Sequence, residues 1–289
     1  MAEIFVVDCG NNRIQVFKLD GTFERKWGSF GTGDGQFNEP RGVCVNYNEV
    51  FVAVTANHQI QVFKLDGTFV RKWGSYGTLN GLFINPTDLY IKKKEVYVLE
   101  RYNARVQVFD LQGNYKRKWG SSGTGDGQFT YPRGIHVYEN EVFIGDTANY
   151  RIQVFDLQGT FKRKWGSNGS GDGQFNQPYG IRANLNEVFV CDRTNSRIQV
   201  FNLDGTFVRK WGSYGTGDGQ FNRPYGIEIK SNLVYVSDDT DRRIQVFKTD
   251  GTFERKWGSS GSGDGQFNQP MGVSIPPGKI QYLPIMGMG

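Results

Sequence analysis

Six tryptophans divide the chain into equal parts. Neighbouring tryptophans are always 46 residues apart, and six such periods account for 276 of the 289 residues. A repeat with a period in the forties is typical of solenoids and of β-propellers, and the strand content of each repeat distinguishes the two. The tryptophans are Trp27, Trp73, Trp119, Trp165, Trp211 and Trp257.

Each repeat contains four short segments that are rich in valine, isoleucine and aromatic residues. In one repeat they span residues 41–45, 50–54, 60–63 and 69–73, and Asn, Asp and Gly bound them. Such segments are typical of β-strands, and an Asp-Gly pair between the third and fourth, as at Asp20-Gly21, is typical of a hairpin. No helical periodicity is present. The sequence therefore predicts an all-β fold, a six-bladed β-propeller of four-stranded antiparallel blades.

The two ends of the chain fall at different points of the repeat. The sequence starts in a second strand, at residues 4–8, and supplies its last first strand at residues 271–275. We therefore expect strands from both termini to close the ring in one blade. The predicted domain is a single propeller over 1–275, followed by a tail at 276–289, in which 280–283 is similar to a decayed further strand.

Three recurring motifs indicate a family. Asn-Arg-Ile-Gln-Val-Phe, Asp-Gly-Thr-Phe and Gly-Asp-Gly-Gln-Phe-Asn-x-Pro resemble the NHL repeat in all six units, over residues 1–275. The resemblance implies a six-bladed propeller. Its relatives include RNA-binding and substrate-recruiting domains of tripartite-motif ubiquitin ligases, sensor domains of bacterial kinases and some lyases. The lyases rely on metal-binding histidines, whereas this chain has only His58 and His136.

The repeats are also unusually alike. Residues 23–40 and 253–270 match at 15 of 18 positions. This similarity indicates recent duplication or deliberate symmetrisation of the repeats.

Composition excludes several classes of protein. No apolar segment approaches the 18 residues that a membrane span needs, and the three cysteines form neither a metal motif nor a disulfide framework. No secretory signal is visible at the start. The net charge of +5 allows an acidic partner without requiring one. We expect a monomeric intracellular protein without metal or cofactor.

Positions shared by all repeats are expected to be structural. We expect each tryptophan to pack between blades, and Asp146 and Arg151 to form an ion pair that recurs in other blades. Blade two has Val54 and Gln59 in their places, so both partners are lost together. The Arg-Lys pairs of the outermost strands, such as 25–26, are expected to protect an exposed edge, or to form a basic girdle for nucleic acid. The acidic run at 238–241 is expected to be a solvated loop.

One position of the innermost strand carries a different residue in every blade. We expect these side chains to line the central channel, either as a solvated channel with His136 exposed or as a proton-transfer or anion site that uses His136, Arg182 and Glu228. The candidate channel-lining residues are Cys44, Tyr90, His136, Arg182, Glu228 and Ser274.

The loops that lead into the first and third strands share one side of the ring, which we call the top face. There the repeat is interrupted by arginine and tyrosine, which are typical of binding hot spots and of surfaces that stack single-stranded nucleic acid. Ordinary solvated loop residues are the alternative. The candidates are Arg41, Arg101, Tyr102, Tyr131, Arg133, Tyr150, Tyr179, Arg193, Arg223, Tyr225 and Arg242.

These observations favour a non-catalytic binding scaffold that recruits a protein partner through the top face. Binding of single-stranded RNA on the same face is the alternative, and an enzyme at the channel mouth is less favoured. The loop after blade two carries Leu79, Leu82 and Ile84 in place of polar residues, which indicates either a protein contact or neutral drift.

Overall fold

Six four-stranded antiparallel sheets surround a central axis, each with its first strand innermost. The computed structural model describes residues 2–277. The strands, from first to fourth, are as follows: blade one, Pro270–Ser274, Glu3–Asp8, Arg13–Lys18 and Phe23–Trp27; blade two, Pro40–Val45, Glu49–Val54, Gln59–Lys64 and Phe69–Trp73; blade three, Pro86–Lys92, Glu95–Glu100, Arg105–Asp110 and Tyr115–Trp119. The remaining strands are blade four, Ile135–Tyr138, Glu141–Asp146, Arg151–Asp156 and Phe161–Trp165; blade five, Pro178–Ala183, Glu187–Asp192, Arg197–Asn202 and Phe207–Trp211; blade six, Pro224–Lys230, Leu233–Asp238, Arg243–Lys248 and Phe253–Trp257. The predicted six-bladed propeller is confirmed.

Short elements connect the blades. Two 3-10 helices, Cys9–Asn11 and Thr147–Asn149, lie between second and third strands. Three of the loops between blades contain two-residue parallel pairs, namely Ser29–Phe30 with Gln36–Phe37, Ser121–Ser122 with Gln128–Phe129, and Ser259–Ser260 with Gln266–Phe267.

Strands from both ends of the chain close the ring. In blade one Val6 of the second strand pairs with Val273 of the first strand, and Phe5 pairs with Ser274. The predicted closure is therefore confirmed. The predicted tail at 276–289 lies outside the described residues from 278 onwards, and so does its strand-like segment at 280–283.

Strand burial follows from the position of each strand in the blade. Second and third strands are buried on both faces, as in Ile4–Asp8, because each blade is covered by its two neighbours. Fourth strands alternate between half-buried and exposed residues, since only one side of them faces the protein. The apolar core is thus a series of layers between blades.

The tryptophans pack between blades, as predicted. The Trp27 ring lies edge-on to Phe5 of its own blade, with centroids 6.2 Å apart, and 5.8 Å from Phe63 of the next blade. It also covers Gly67, where an added Cβ would lie 2.8 Å from a ring carbon. Gly67 has a φ of +93°, so glycine is required there by both backbone and packing.

The repeated aspartate and arginine form a buried ion pair, also as predicted. Arg151 Nε donates to Asp146 Oδ2 at 2.7 Å, and both side chains are buried. The other nitrogens of Arg151 donate to carbonyls of the preceding interblade loop, including that of Thr124 at 2.7 Å. The pair therefore ties blade four to the loop before it, and close equivalent pairs recur in blades one, three and five.

Blade six is an exception to this pattern. Arg243 lies 3.8 Å from Asp238 and instead pairs with Asp241 at 3.0 Å. Asp238 accepts backbone N–H groups of Asn222 and Arg223. The expectation of a solvated acidic loop is wrong here, because Asp238 and Asp239 are both buried and Asp241 holds an arginine.

The arginines of the Arg-Lys pairs are not free edge residues. Arg71 donates to both carboxylate oxygens of Glu49 and to a carbonyl of the next blade, that of Leu111. Lys72 pairs with Asp34 of the preceding interblade loop at 2.8 Å. Equivalent pairs recur around the ring. A free basic girdle is therefore not formed, because most of its charges have carboxylate partners.

Candidate functional site

The top face carries an arginine–tyrosine cluster over blades three to five. We use this name for Arg101, Tyr102, Tyr131, Arg133, Tyr179 and Arg193. Arg101 and Tyr102 follow the second strand of blade three, and Arg193 follows that of blade five. Tyr131 and Arg133 precede the first strand of blade four, and Tyr179 lies at the start of that of blade five. Consecutive blades therefore present these side chains side by side.

Arg101 is held between two tyrosines. Its guanidinium carbon lies 5.0 Å from the Tyr102 ring centroid and 5.2 Å from that of Tyr131. The two rings meet edge to face at 5.6 Å, and both are about half exposed. Cation–π contacts of this kind fix the orientation of a guanidinium while leaving its N–H groups available.

Tyr179 is held between two arginines in the same manner. The guanidinium carbons of Arg133 and Arg193 lie 4.8 and 4.9 Å from its ring centroid. Arg193 also donates to Asp239 at 2.6 Å, whereas Tyr179 meets Tyr225 edge to face at 5.1 Å. Tyr179 and Tyr225 are buried, with 6% and 7% of their surface exposed. They support the arginines from below and offer no open ring face.

Two arginines of the cluster carry positive charge without a carboxylate partner among the described residues. Within residues 2–277, neither Arg101 nor Arg133 has a carboxylate oxygen within 4.0 Å, and the Nε atoms of both are buried without a hydrogen-bond partner. Burial, and next the positive charge of Arg133, lowers the pKa of Arg101. This arrangement can accept an anionic group from outside.

The other top-face candidates lie around this cluster. Arg41 donates to Glu39 at 3.1 Å and contacts the sulfur of Met271. Tyr150, Arg223 and Arg242 make no aromatic, cation–π or ion-pair contact with the cluster; Arg242 instead donates to Ser260. The structure thus brings six of the eleven candidates together and leaves three apart.

The axis beneath the cluster is nearly closed. A cavity of about 20 Å³, lined by Arg133, Tyr179 and Arg182 among others, is the space between top face and axis. This volume holds about one water molecule. Asp88 lies beside it, and burial raises the pKa of this carboxyl to about 6 although the charge of Arg182 opposes the shift.

The predicted channel-lining residues meet at the axis, but most of them are buried. Arg182 donates to Glu228 at 3.2 Å, and its guanidinium carbon lies 5.6 Å from the Tyr90 ring centroid. Ser274 accepts the N–H of Val45, and Cys44 packs among apolar side chains of blades two and three. Arg182 also lines the small axial cavity, and all six predicted residues line two larger cavities on the opposite side of the ring.

The expectation of an exposed His136 is wrong. Only 4% of its surface is exposed, and its ring packs 4.4 Å from that of Tyr90. Burial, and next the charge of Arg182, holds the pKa of His136 well below its usual value. Its Nε2 lies 3.2 Å from the Ala183 carbonyl, which can only accept, so Nε2 carries the proton. His136 and Glu228 therefore have separate partners.

All three cysteines are buried thiols. Burial raises the pKa of both Cys9 and Cys44 to about 12, and it raises that of Cys191 as well. Thiols with such pKa values stay protonated at neutral pH, and a thiol is a poor nucleophile.

Some contributors to the site were not predicted. Arginines of the top face are held by Asp239, Glu39 and Met271. The predicted candidates were the Arg and Tyr residues that interrupt the repeat, so these three were not among them. Asp239 was visible only as part of an acidic run. In the loop after blade two, Leu79 is largely exposed whereas Leu82 and Ile84 are half-buried, so no continuous apolar cluster forms there.

This fold and its repeated interblade network define a six-bladed β-propeller. The family model for the NHL repeat matches residues 175–201, and a model described as a 6-bladed beta-propeller (DUF5128) matches residues 80–141. Both agree with the predicted resemblance. No protein with a curated description matches the sequence significantly.

Solved structures share the fold at low sequence identity. A protein of unknown function from Bacteroides caccae has a TM-score of 0.71 and 12% identity, over 95% of this chain and 98% of its own. A chain in the crystal structure of a nidogen/laminin complex has a TM-score of 0.69 and 12% identity, with the same coverage. At this identity the likeness concerns the fold alone.

Two features of the described residues bear on metal binding and on membrane insertion. None of residues 2–277 belongs to a group of three or more His, Cys, Asp or Glu side chains that could hold a metal ion. Over the same range, no helix has the length and apolar character needed to cross a membrane.

Proposed function

We infer that this protein is a non-catalytic binding scaffold that recruits a protein partner through the arginine–tyrosine cluster. A closed propeller is a rigid ring, which suits such a scaffold. The supporting observation is that Arg101 and Arg133 lie side by side at the top of the axis without carboxylate partners in residues 2–277. The partner in this proposal is a protein segment with acidic side chains, and the scaffold acts as an intracellular monomer.

The tyrosines favour a protein over single-stranded RNA. Stacking of bases requires open aromatic faces. Tyr179 and Tyr225 are buried, and the exposed rings of Tyr102 and Tyr131 meet edge to face and already hold Arg101. The arginines can still bind phosphate, so RNA is kept as an outcome of the test.

The test compares two anionic probes at one ionic strength. Fluorescence anisotropy would measure binding of a labelled octaglutamate peptide and of an octauridine RNA to the native protein and to R101E/R133E. We expect the peptide to bind more tightly than the RNA, and the double substitution to weaken peptide binding by about tenfold or more, since it replaces two attractions by two repulsions.

Arg223→Glu is the matched control, because Arg223 is an exposed arginine of the same face outside the cluster. We expect this variant to bind within about twofold of the native protein. Octauridine binding that exceeds peptide binding and is lost in R101E/R133E would replace the protein partner by RNA. Peptide binding that R101E/R133E leaves unchanged would contradict the proposed site.

A further inference from the structure

The side of the ring opposite the top face has large cavities. We call it the bottom face; it carries the loops between first and second strands. Two adjoining cavities there have volumes of about 640 and 350 Å³, and both are lined by Tyr90, Lys92 and Glu228. Small-molecule sites in proteins typically measure about 300–1,000 Å³. The bottom face therefore has room for a ligand, whereas the axial cavity below the arginine–tyrosine cluster holds about one water molecule.

The charge at these cavities is strongly one-sided. The larger cavity is lined by Lys92, Lys93, Lys94 and Lys230, and none of the four has a carboxylate oxygen within 4.0 Å in residues 2–277. Among residues 2–277 the one carboxylate that lines either cavity is that of Glu228, which accepts from Arg182 at 3.2 Å and from the Ile229 N–H at 2.9 Å. The side chains that line the cavities therefore carry a net positive formal charge.

The walls provide apolar and aromatic surface. Tyr90 and Leu111 lie in the wall of the larger cavity, and Tyr138 and Leu185 in that of the smaller one. The Lys92 ammonium lies 6.0 Å from the Tyr138 ring centroid. Apolar and aromatic walls beside several ammonium groups are suited to an anion with an aromatic body.

The backbone at the cavity mouth is strained. Lys93 and Lys94 form the whole two-residue turn between paired residues Lys92 and Glu95, and their φ angles are +50° and +64°. Such a turn normally contains Asn-Gly, because a side chain with a Cβ is unfavourable at positive φ. The equivalent turn of blade four has positive φ only at Glu139. Strained residues of this kind concentrate at ligand sites.

We propose that the bottom face contains a binding site for an organic anion with an aromatic body, in which Lys92, Lys93 and Lys94 bind the anionic group and the tyrosine-lined walls hold the ring. The site is separate from the arginine–tyrosine cluster and does not depend on the function proposed for it. The turn places two ammonium groups beside that of Lys92 at the cavity, where an Asn-Gly turn would be more stable but uncharged.

The test uses two probes of nearly the same shape, one anionic and one neutral. Isothermal titration calorimetry on the full chain would compare naphthalene-2-carboxylate with the neutral naphthalene-2-carboxamide. We expect the carboxylate to bind about tenfold more tightly or better, and K92Q/K94Q to remove most of this difference. Lys248→Gln is the matched control, since Lys248 is an exposed lysine at the end of a third strand and does not line the cavities. We expect it to bind as the native protein does.

The strained backbone at Lys93 and Lys94 allows a second measurement, that of thermal stability. We expect K93N/K94G to raise the melting temperature by about 2–4 °C while it weakens carboxylate binding, because it relieves the turn and removes two charges. R101E/R133E should bind the carboxylate as the native protein does. Equal binding of the two probes, no binding of either, or carboxylate binding that K92Q/K94Q leaves unchanged would overturn the proposal.

Discussion

At the scale of single residues, the same amino acid has opposite roles according to its partners. The guanidinium of Arg151 donates hydrogen bonds to the Asp146 carboxylate and to three backbone carbonyls. Arg101 has tyrosine faces around it and no carboxylate within 4.0 Å in residues 2–277. A satisfied buried arginine stabilises the fold, whereas an unsatisfied one leaves binding capacity for a ligand.

Blade two suggests how the buried ion pair can be replaced. It has Val54 and Gln59 where blade four has Asp146 and Arg151. We expect D146V and R151Q each to cost about 3 kcal/mol of unfolding free energy, because each leaves an uncompensated buried charge. The double variant should cost less than the sum by about 1–3 kcal/mol. Urea unfolding of the four proteins measures this coupling, and additive costs would show that the two charges do not interact.

At the scale of elements, the turn between third and fourth strands docks one blade on the next. Gly67 in this turn lies under the Trp27 ring, and equivalent glycines lie under the other tryptophans. Gly35, in the loop between blades one and two, has a similar positive φ of +75° but no atom within 4 Å of an added Cβ. Substitutions at the two glycines therefore distinguish the cost of backbone strain from the cost of disturbed packing.

We expect Gly35→Ala to lower the unfolding free energy by about 1 kcal/mol through backbone strain alone. Gly67→Ala should lower it by about 2–4 kcal/mol, because the new methyl group also displaces the Trp27 ring. Chemical denaturation of both variants gives the comparison. Equal losses of unfolding free energy in the two variants would mean that the close contact between Gly67 and the Trp27 ring does not contribute to stability.

At the scale of the whole molecule, repetition explains which features were predictable. Local sequence patterns that recur along the chain predict the blade count, the four strands of each blade, the ring closure and the packing of the tryptophans. The partner of Arg193 was not predictable, since Asp239 lies in the next blade and only the curvature of the ring brings the two together. His136 was expected to be exposed because its strand position faces the axis, but Arg182 of the next blade covers it.

The predicted channel-lining residues line the cavities of the bottom face, but its lysines were missed for a related reason. Lys92, Lys93 and Lys94 look like an ordinary solvated turn in the sequence, and only the assembled ring places Lys230 and the tyrosines around the same cavity. Departures from the repeat identified candidate residues on the top face, but they did not show which of them come together.

We infer that Arg101 and Arg133 serve binding and do not stabilise the scaffold. The most direct test is the unfolding free energy of R101M/R133M, which keeps the aliphatic contacts and removes both charges. We predict a value equal to that of the native protein or higher by about 1 kcal/mol, because two neighbouring, partly buried positive charges without carboxylate partners are removed. A loss of about 1 kcal/mol or more would contradict this claim and make the two arginines part of the structural framework.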